Sequence, residues 1–249
     1  MKPHFLLLFF FVSRINCWSQ TEFVKPWLDT TRPIILDVYE GNEYDIQHVK
    51  KDSRIKAIIH KMSEESEASF NKRRKEAYDN NLLFGSYWLP KYDTNGTKQA
   101  DAYLKMIGDS AWKKEFIALD FEQHKKTKQF ISPYNSYLFV KRIFEQTGRY
   151  PHIYCGLNNI DKLINSEYWE TFKLCKLWLI ALPADGSIAH VFKKEKMWAS
   201  YSLWQFSCEI NCCKGATKPC YYKAEGIDCY MDYDVYNGTL EELINNWGK

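Results

Sequence analysis

Two carboxylates separated by one residue, Asp120 and Glu122, end the apolar run Phe116-Ile117-Ala118-Leu119. Successive side chains of a strand alternate faces, so both acids point one way and Phe121 the other, with Cα atoms roughly 6–7 Å apart. Like charges this close repel, and in a cleft one carboxyl is driven to keep its proton while its neighbour ionises. Protonating a glycosidic oxygen requires such a pair. A solvated strand end running into Gln123-His124-Lys125-Lys126 would show the same residues, so support must come from elsewhere in the chain. Two other segments supply it: the apolar run Pro33-Ile34-Ile35-Leu36 closes on Asp37, and the expected strand from Met231 starts with the pair Asp232 and Asp234. Acids at several strand ends are better explained by a shared mouth than by solvation of each one.

The elements that must bring these acids together follow from the hydrophobic period. Strands are expected over 33–38, 55–62, 82–88, 116–122 and 150–155, alternating with helices over 64–80, 97–108 and 132–147. Later strands fall at 174–182, 203–206 and 231–236. Thr239, with a glutamate three residues on, caps a final helix. Strand and helix alternating through the first two thirds imply right-handed crossovers and a parallel sheet, most simply closed into a barrel. The expected fold class is therefore α/β, one flattened barrel of about eight strands, helix-poor in its last third. In such barrels the chemistry sits at the C-terminal strand ends.

The start of the chain reads differently. A charged lead, an apolar run from Phe5 to Val12 too short to span a bilayer, and small residues around Cys17-Trp18-Ser19 predict a secretory signal peptide over 1–19. One barrel domain over 20–249 would follow. Its destination would be outside the cytosol, in an extracellular, periplasmic or lysosome-like compartment. Cleavage takes away Lys2 and Arg14 and no acid, lowering the formal charge from +3 to +1. A nearly neutral chain gives no support to nucleic-acid binding. No later segment reaches transmembrane length. In an exported chain the cluster Cys208, Cys212, Cys213, Cys220 and Cys229 reads as disulfides. With Cys155 and Cys175 the mature chain keeps seven cysteines, an odd number that leaves one thiol over, pairs one between chains, or places the cleavage site elsewhere. The six histidines are scattered without metal-ligand spacing, so neither a metal nor another cofactor is expected.

The ordered motifs resemble glycoside hydrolase family 25, the muramidase family that includes the Chalaropsis-type lysozymes. Ile35-Leu36-Asp37-Val38 comes first, then Ile58-Ile59-His60-Lys61-Met62-Ser63-Glu64, Phe84-Gly85-Ser86-Tyr87 and Leu119-Asp120-Phe121-Glu122. Ile153-Tyr154, Leu177-Trp178-Leu179, Leu203-Trp204-Gln205-Phe206 and Met231-Asp232-Tyr233-Asp234 complete the series, which covers about 33–245. The resemblance implies hydrolysis of the β-1,4 bond between N-acetylmuramic acid and N-acetylglucosamine in the glycan strands of peptidoglycan; separately, the chain is expected to be a monomer. The resemblance makes Glu122 the general acid/base. Asp120 is the neighbour that stabilises positive charge near the anomeric carbon or orients the N-acetyl group, and Asp37 and Asp232 complete the acidic ring. Tyr87, Tyr154, Trp178 and Trp204 would line the groove, with Glu64 and Asp234 among the substrate contacts.

Several positions depart from the family pattern. Tyr39-Glu40-Gly41-Asn42 stands where Ser-x-x-Gln is common, Trp88-Leu89 replaces His-Phe, and Asp234 replaces the usual asparagine. The cysteine-rich insertion over 208–229 is foreign to the pattern and predicts a disulfide-pinned loop beside the groove. These departures leave room for a catalytically weak glycan-binding protein on the same scaffold, or for a related hydrolase acting on chitin-like polymers.

Overall fold

Eight strands close into a barrel in chain order: β1 (Ile34–Val38), β2 (Ile55–Met62), β3 (Leu83–Trp88), β4 (Phe116–Asp120), β5 (His152–Gly156), β6 (Leu177–Ile180), β7 (Leu203–Ser207) and β8 (Asp232–Tyr236). This computed structural model describes residues 22–63, 66–108, 111–124, 127–194 and 197–249. The expected signal peptide and Glu64 lie outside the described residues. Helix α1 (Ile46–Lys51) follows β1, α2 (Glu67–Asp79) follows β2 and α3 (Gly96–Ile107) follows β3. Next come α4 (Pro133–Thr147), α5 (Leu157–Ile164), α6 (Trp169–Phe172), α7 (Ala189–Lys194), α8 (Glu209–Cys212) and α9 (Leu240–Asn246). Among the described residues no helix is long and apolar enough to cross a membrane.

Most strand residues are buried, on both faces of the sheet, which is why β1, β4 and β6 form near-continuous apolar runs. Ile35, Ile59, Ala118, Trp178 and Leu203 pack inside the barrel. Leu36, Ile58, Leu119, Ile153 and Trp204 pack outward against the helices. Gly85 is required at the inner β3–β4 contact: a Cβ there would stand 2.6 Å from Phe116 Cβ. Phe116 thereby fills the lower interior and stacks on Trp247, with ring centroids 5.1 Å apart. Trp247, just past α9, donates its indole N–H to the Phe84 carbonyl (2.7 Å) and seals that end. Outside the same end, Glu115 is fully buried at the foot of β4 and receives two hydrogen bonds from Arg74 of α2, at 2.6 and 2.7 Å.

Strands β1 to β7 are parallel, but β8 runs antiparallel to both β7 and β1. The start of β8 therefore meets the C-terminal ends of the other seven, and Asp232 pairs in register with Asp37. Strand periodicity carries no sign of direction, so this reversal was invisible in the sequence. The sequence also gave no hint of α1 or of the short helices α5 to α8. The strand expected to begin at 174 begins at Leu177, because Leu174 closes the preceding turn and is exposed. The strand expected over 116–122 ends at Asp120, yet the Phe121 N–H still bonds to the Tyr154 carbonyl (2.8 Å), so the inside–outside alternation persists to Glu122.

Candidate active site

A cavity of about 620 Å³ opens at the rim where these strand ends meet, and Asp37, Asp120, Glu122 and Asp232 all line it. Four acids separated by up to 195 residues in sequence are thus brought together by the ends of β1 and β4 and the reversed β8. Asp37 is 6% exposed, and its carboxyl is held well above the usual carboxylate range. Burial is the largest cause, followed by the charges of Asp234, Asp232, Asp120 and Glu122. One oxygen of Asp37 is buried with no hydrogen-bond partner, an arrangement that favours the protonated form.

Three aromatics close the bottom of the cavity. Tyr154 stands next to Asp120 in the β4–β5 register and donates its hydroxyl to Gln205 Oε1 (2.6 Å). The Trp178 ring meets Tyr154 edge-on at 4.7 Å and Tyr87 at 5.7 Å, and its indole N–H donates to Asp234 Oδ1 (2.6 Å). Burial, then the neighbouring acids, holds both tyrosine hydroxyls in their neutral form well beyond the usual range. They can therefore donate hydrogen bonds at any working pH.

The expected binding residues divide by where their side chains point. Tyr87 and Tyr154 face the cavity. Trp178 lines it only as floor, since its ring is fully buried and leaves no open face for a sugar to stack on. Trp204 is a correction. It lies between inward-facing Leu203 and Gln205, so alternation turns it outward, where it packs edge-on to Trp27 and donates to the Ala181 carbonyl (2.8 Å). The residue of that motif that reaches the cavity is Gln205, a polar side chain between two large aromatics, and this contrast was the available signal. Asp234 is a second correction: it lies beneath the floor, fully buried and shielded by Trp178, and does not line the cavity. Lys61, Tyr39, Ile210 and Tyr230 line it without having been anticipated. Lys61 is tied to Glu40 (2.7 Å). Burial opposes ionisation of Glu40, but the hydrogen bond from Lys61 prevails and holds its carboxyl below the usual range. The extra acid at the mouth is thus neutralised locally.

Asp234 gives a testable pH dependence. Burial and the charge of Asp232 push its carboxyl well up against the opposing Trp178 hydrogen bond, and its second oxygen has no partner. Asp37 and Asp234 both bind a proton more tightly folded than unfolded, so ionising them works against the fold. The cost is absent below the ordinary value of 3.8 and grows as pH rises through it toward the raised folded-state values. Asp234→Asn keeps the acceptor for Trp178 and removes one of the two charges. It is expected to raise stability at pH 7 by roughly 1–3 kcal/mol. That corresponds to about 2–4 °C in Tm per kcal/mol, shrinking toward zero as pH approaches 4. A Tm gain that is absent at pH 7, or equal at both pH values, would contradict this electrostatic account.

The cysteine-rich loop between β7 and β8 is pinned by the disulfides Cys212–Cys220 and Cys213–Cys229. Cys155, Cys175 and Cys208 are buried and lie outside these two bridges. The loop stands beside the cavity as expected, and Cys208, Glu209, Ile210 and Tyr230 form part of its wall.

The model of glycosyl hydrolases family 25 matches residues 36–213, ending inside this loop. No curated protein sequence matches the chain. Among solved structures, a bacterial lysozyme from Streptomyces coelicolor superposes with a TM-score of 0.67 at 14% identity, covering 88% of this chain and 99% of that one. A family 25 glycosyl hydrolase from Bacillus anthracis gives 0.64 at 18% identity over 88% and 95%. A muramidase from Trichobolus zukalii gives 0.62 at 19% identity over 87% and 99%. These likenesses establish a shared fold.

Proposed function

We propose, from the premise that this chain belongs to glycosyl hydrolases family 25, that it is an N-acetylmuramidase cleaving the β-1,4 bond between N-acetylmuramic acid and N-acetylglucosamine in peptidoglycan. The observation that carries the reading is the convergence of Asp37, Asp120, Glu122 and Asp232 on one cavity large enough for sugar rings. Lysozyme and muramidase structures with the same fold support the substrate.

In this reading Glu122, at the open side of the acid group, delivers a proton to the leaving glycosidic oxygen and afterwards takes one from water. Asp120, one step deeper on the same face, sets a carboxylate beneath the sugar ring, where positive charge develops at the anomeric carbon. Asp37 and Asp232, paired across β1 and β8, complete the negative field. Tyr87, Tyr154 and Gln205 position the sugar by contact and hydrogen bonding. All these residues come from one chain, so a monomer suffices. The two disulfides suit an oxidising compartment, and we read residues 20–249 as the mature secreted domain.

Peptidoglycan and chitin offered side by side, with reducing ends quantified, test the substrate. Release from peptidoglycan well above that from chitin is expected. Equal or greater release from chitin would move the assignment to chitin-like polymers, and retention on walls without release from either would leave only a glycan-binding protein.

A further inference from the structure

Two exposed tyrosines stand at the lip of the cavity in positions that owe nothing to the family pattern. Tyr39 occupies the departure after the first strand, and Tyr230 lies at the end of the cysteine-rich insertion, beyond the matched residues. They are 43% and 57% exposed, so each presents aromatic surface to solvent at the cavity mouth. The antiparallel register of β1 and β8 pairs Asp37 with Asp232 and, continued by two residues on each strand, sets Tyr39 opposite Tyr230. Two residues is one full pleat, so both tyrosines lie on the face of the acids and one step farther out. Both line the cavity.

This pair is built. Where the backbone ladder ends, the buried side chain of Asn42 splices the two segments: its Oδ1 accepts from the Tyr39 N–H (2.8 Å) and its Nδ2 donates to the Tyr230 carbonyl (3.1 Å). The Tyr39 ring lies over Gly41, where any Cβ would collide with it, and Lys61 Nζ approaches its face at 5.4 Å. Tyr230 follows Cys229 directly, so the Cys213–Cys229 bridge ties its backbone to the loop. Two flat rings, each with a hydroxyl at its edge, offer apolar surface for the C–H face of a pyranose and hydrogen bonds for its hydroxyl and acetamido groups.

We propose that Tyr39 and Tyr230 form an outer saccharide subsite that binds a sugar of the N-acetylated glycan strand beyond the cleaved linkage, held in shape by Asn42 and the Cys213–Cys229 disulfide. The proposal rests on the glycan-strand reading above. The subsite makes affinity for long strands depend on an insertion the family pattern lacks.

Binding measured apart from turnover tests it. In a Glu122→Gln background, retention on insoluble peptidoglycan is titrated for the parent, Tyr39→Ala, Tyr230→Ala and the double variant Cys213→Ser/Cys229→Ser. Each is expected to weaken Kd about 5–10-fold. Tyr230→Phe should keep most of the affinity, and Leu174→Ala, at an exposed position before β6 and far from the lip, should keep all of it. Unchanged Kd for both tyrosine-to-alanine variants, with unfolding temperatures intact, would overturn the subsite. That outcome is separate from the enzymatic reading, because it would arise whether or not the wild-type chain releases reducing ends.

Discussion

The Glu122→Gln variant is expected to lose about 10³-fold in kcat on peptidoglycan. Its Tm should stay within about 2 °C of the parent. Glutamine keeps the size and one carbonyl acceptor but has no proton to give to a leaving oxygen. Glu122 sits half-buried at the edge of the acid group, so the swap leaves the barrel packing alone. KM should move little, because the interaction removed is one made in the transition state. A variant that clears walls as fast as the parent would remove the role assigned to Glu122.

Glu115→Ala should have the opposite profile, a large loss of stability with the chemistry untouched. Glu115 has no exposed surface, takes two hydrogen bonds from Arg74 and a third from the Tyr78 hydroxyl, and ties α2 to the foot of β4. Burial nevertheless pushes its carboxyl above the usual range against the pull of these partners, so desolvation is the larger force on this group. Removing it strands a partly buried guanidinium, which costs about 3–5 kcal/mol. The corresponding fall in Tm is roughly 6–20 °C. Since the pair's net worth against an apolar replacement is small, Arg74→Met/Glu115→Leu should recover most of the loss. A single variant within a degree or two of the parent would show that the pair is dispensable. At 25 °C, where the variant remains folded, kcat should match the parent, because Glu115 lies at the opposite end of β4 from Asp120.

These expectations draw unequally on the sequence. Asp37, Asp120 and Glu122 could be placed at strand ends because a buried parallel strand shows an apolar run, and a charge can end it only where the chain reaches the rim. Asp232 was found as a residue, but its place opposite Asp37 depends on the reversed direction of β8, which hydrophobic patterning does not encode. Trp204 was misread because an aromatic in a motif looks the same whether it faces sugar or helix. Only strict alternation around Gln205 separates the two. Asp234 was misplaced for a related reason: two residues along a strand keeps the face but changes the depth, and depth decides whether a carboxyl meets substrate or lies under Trp178. The Tyr39–Tyr230 pair was out of reach because its members are 191 positions apart and meet only through the register of β1 with β8.

This cavity is expected to protonate the oxygen on the N-acetylglucosamine side of a muramyl linkage and to leave N-acetylmuramic acid as the new reducing end. Digesting purified peptidoglycan, reducing the products with borohydride and identifying the terminal sugar alcohol by mass spectrometry measures this directly, with Glu122→Gln as the blank. Muramitol termini, absent from the blank, are the predicted result. Glucosaminitol termini, or muramitol at the same level in both digests, would contradict it.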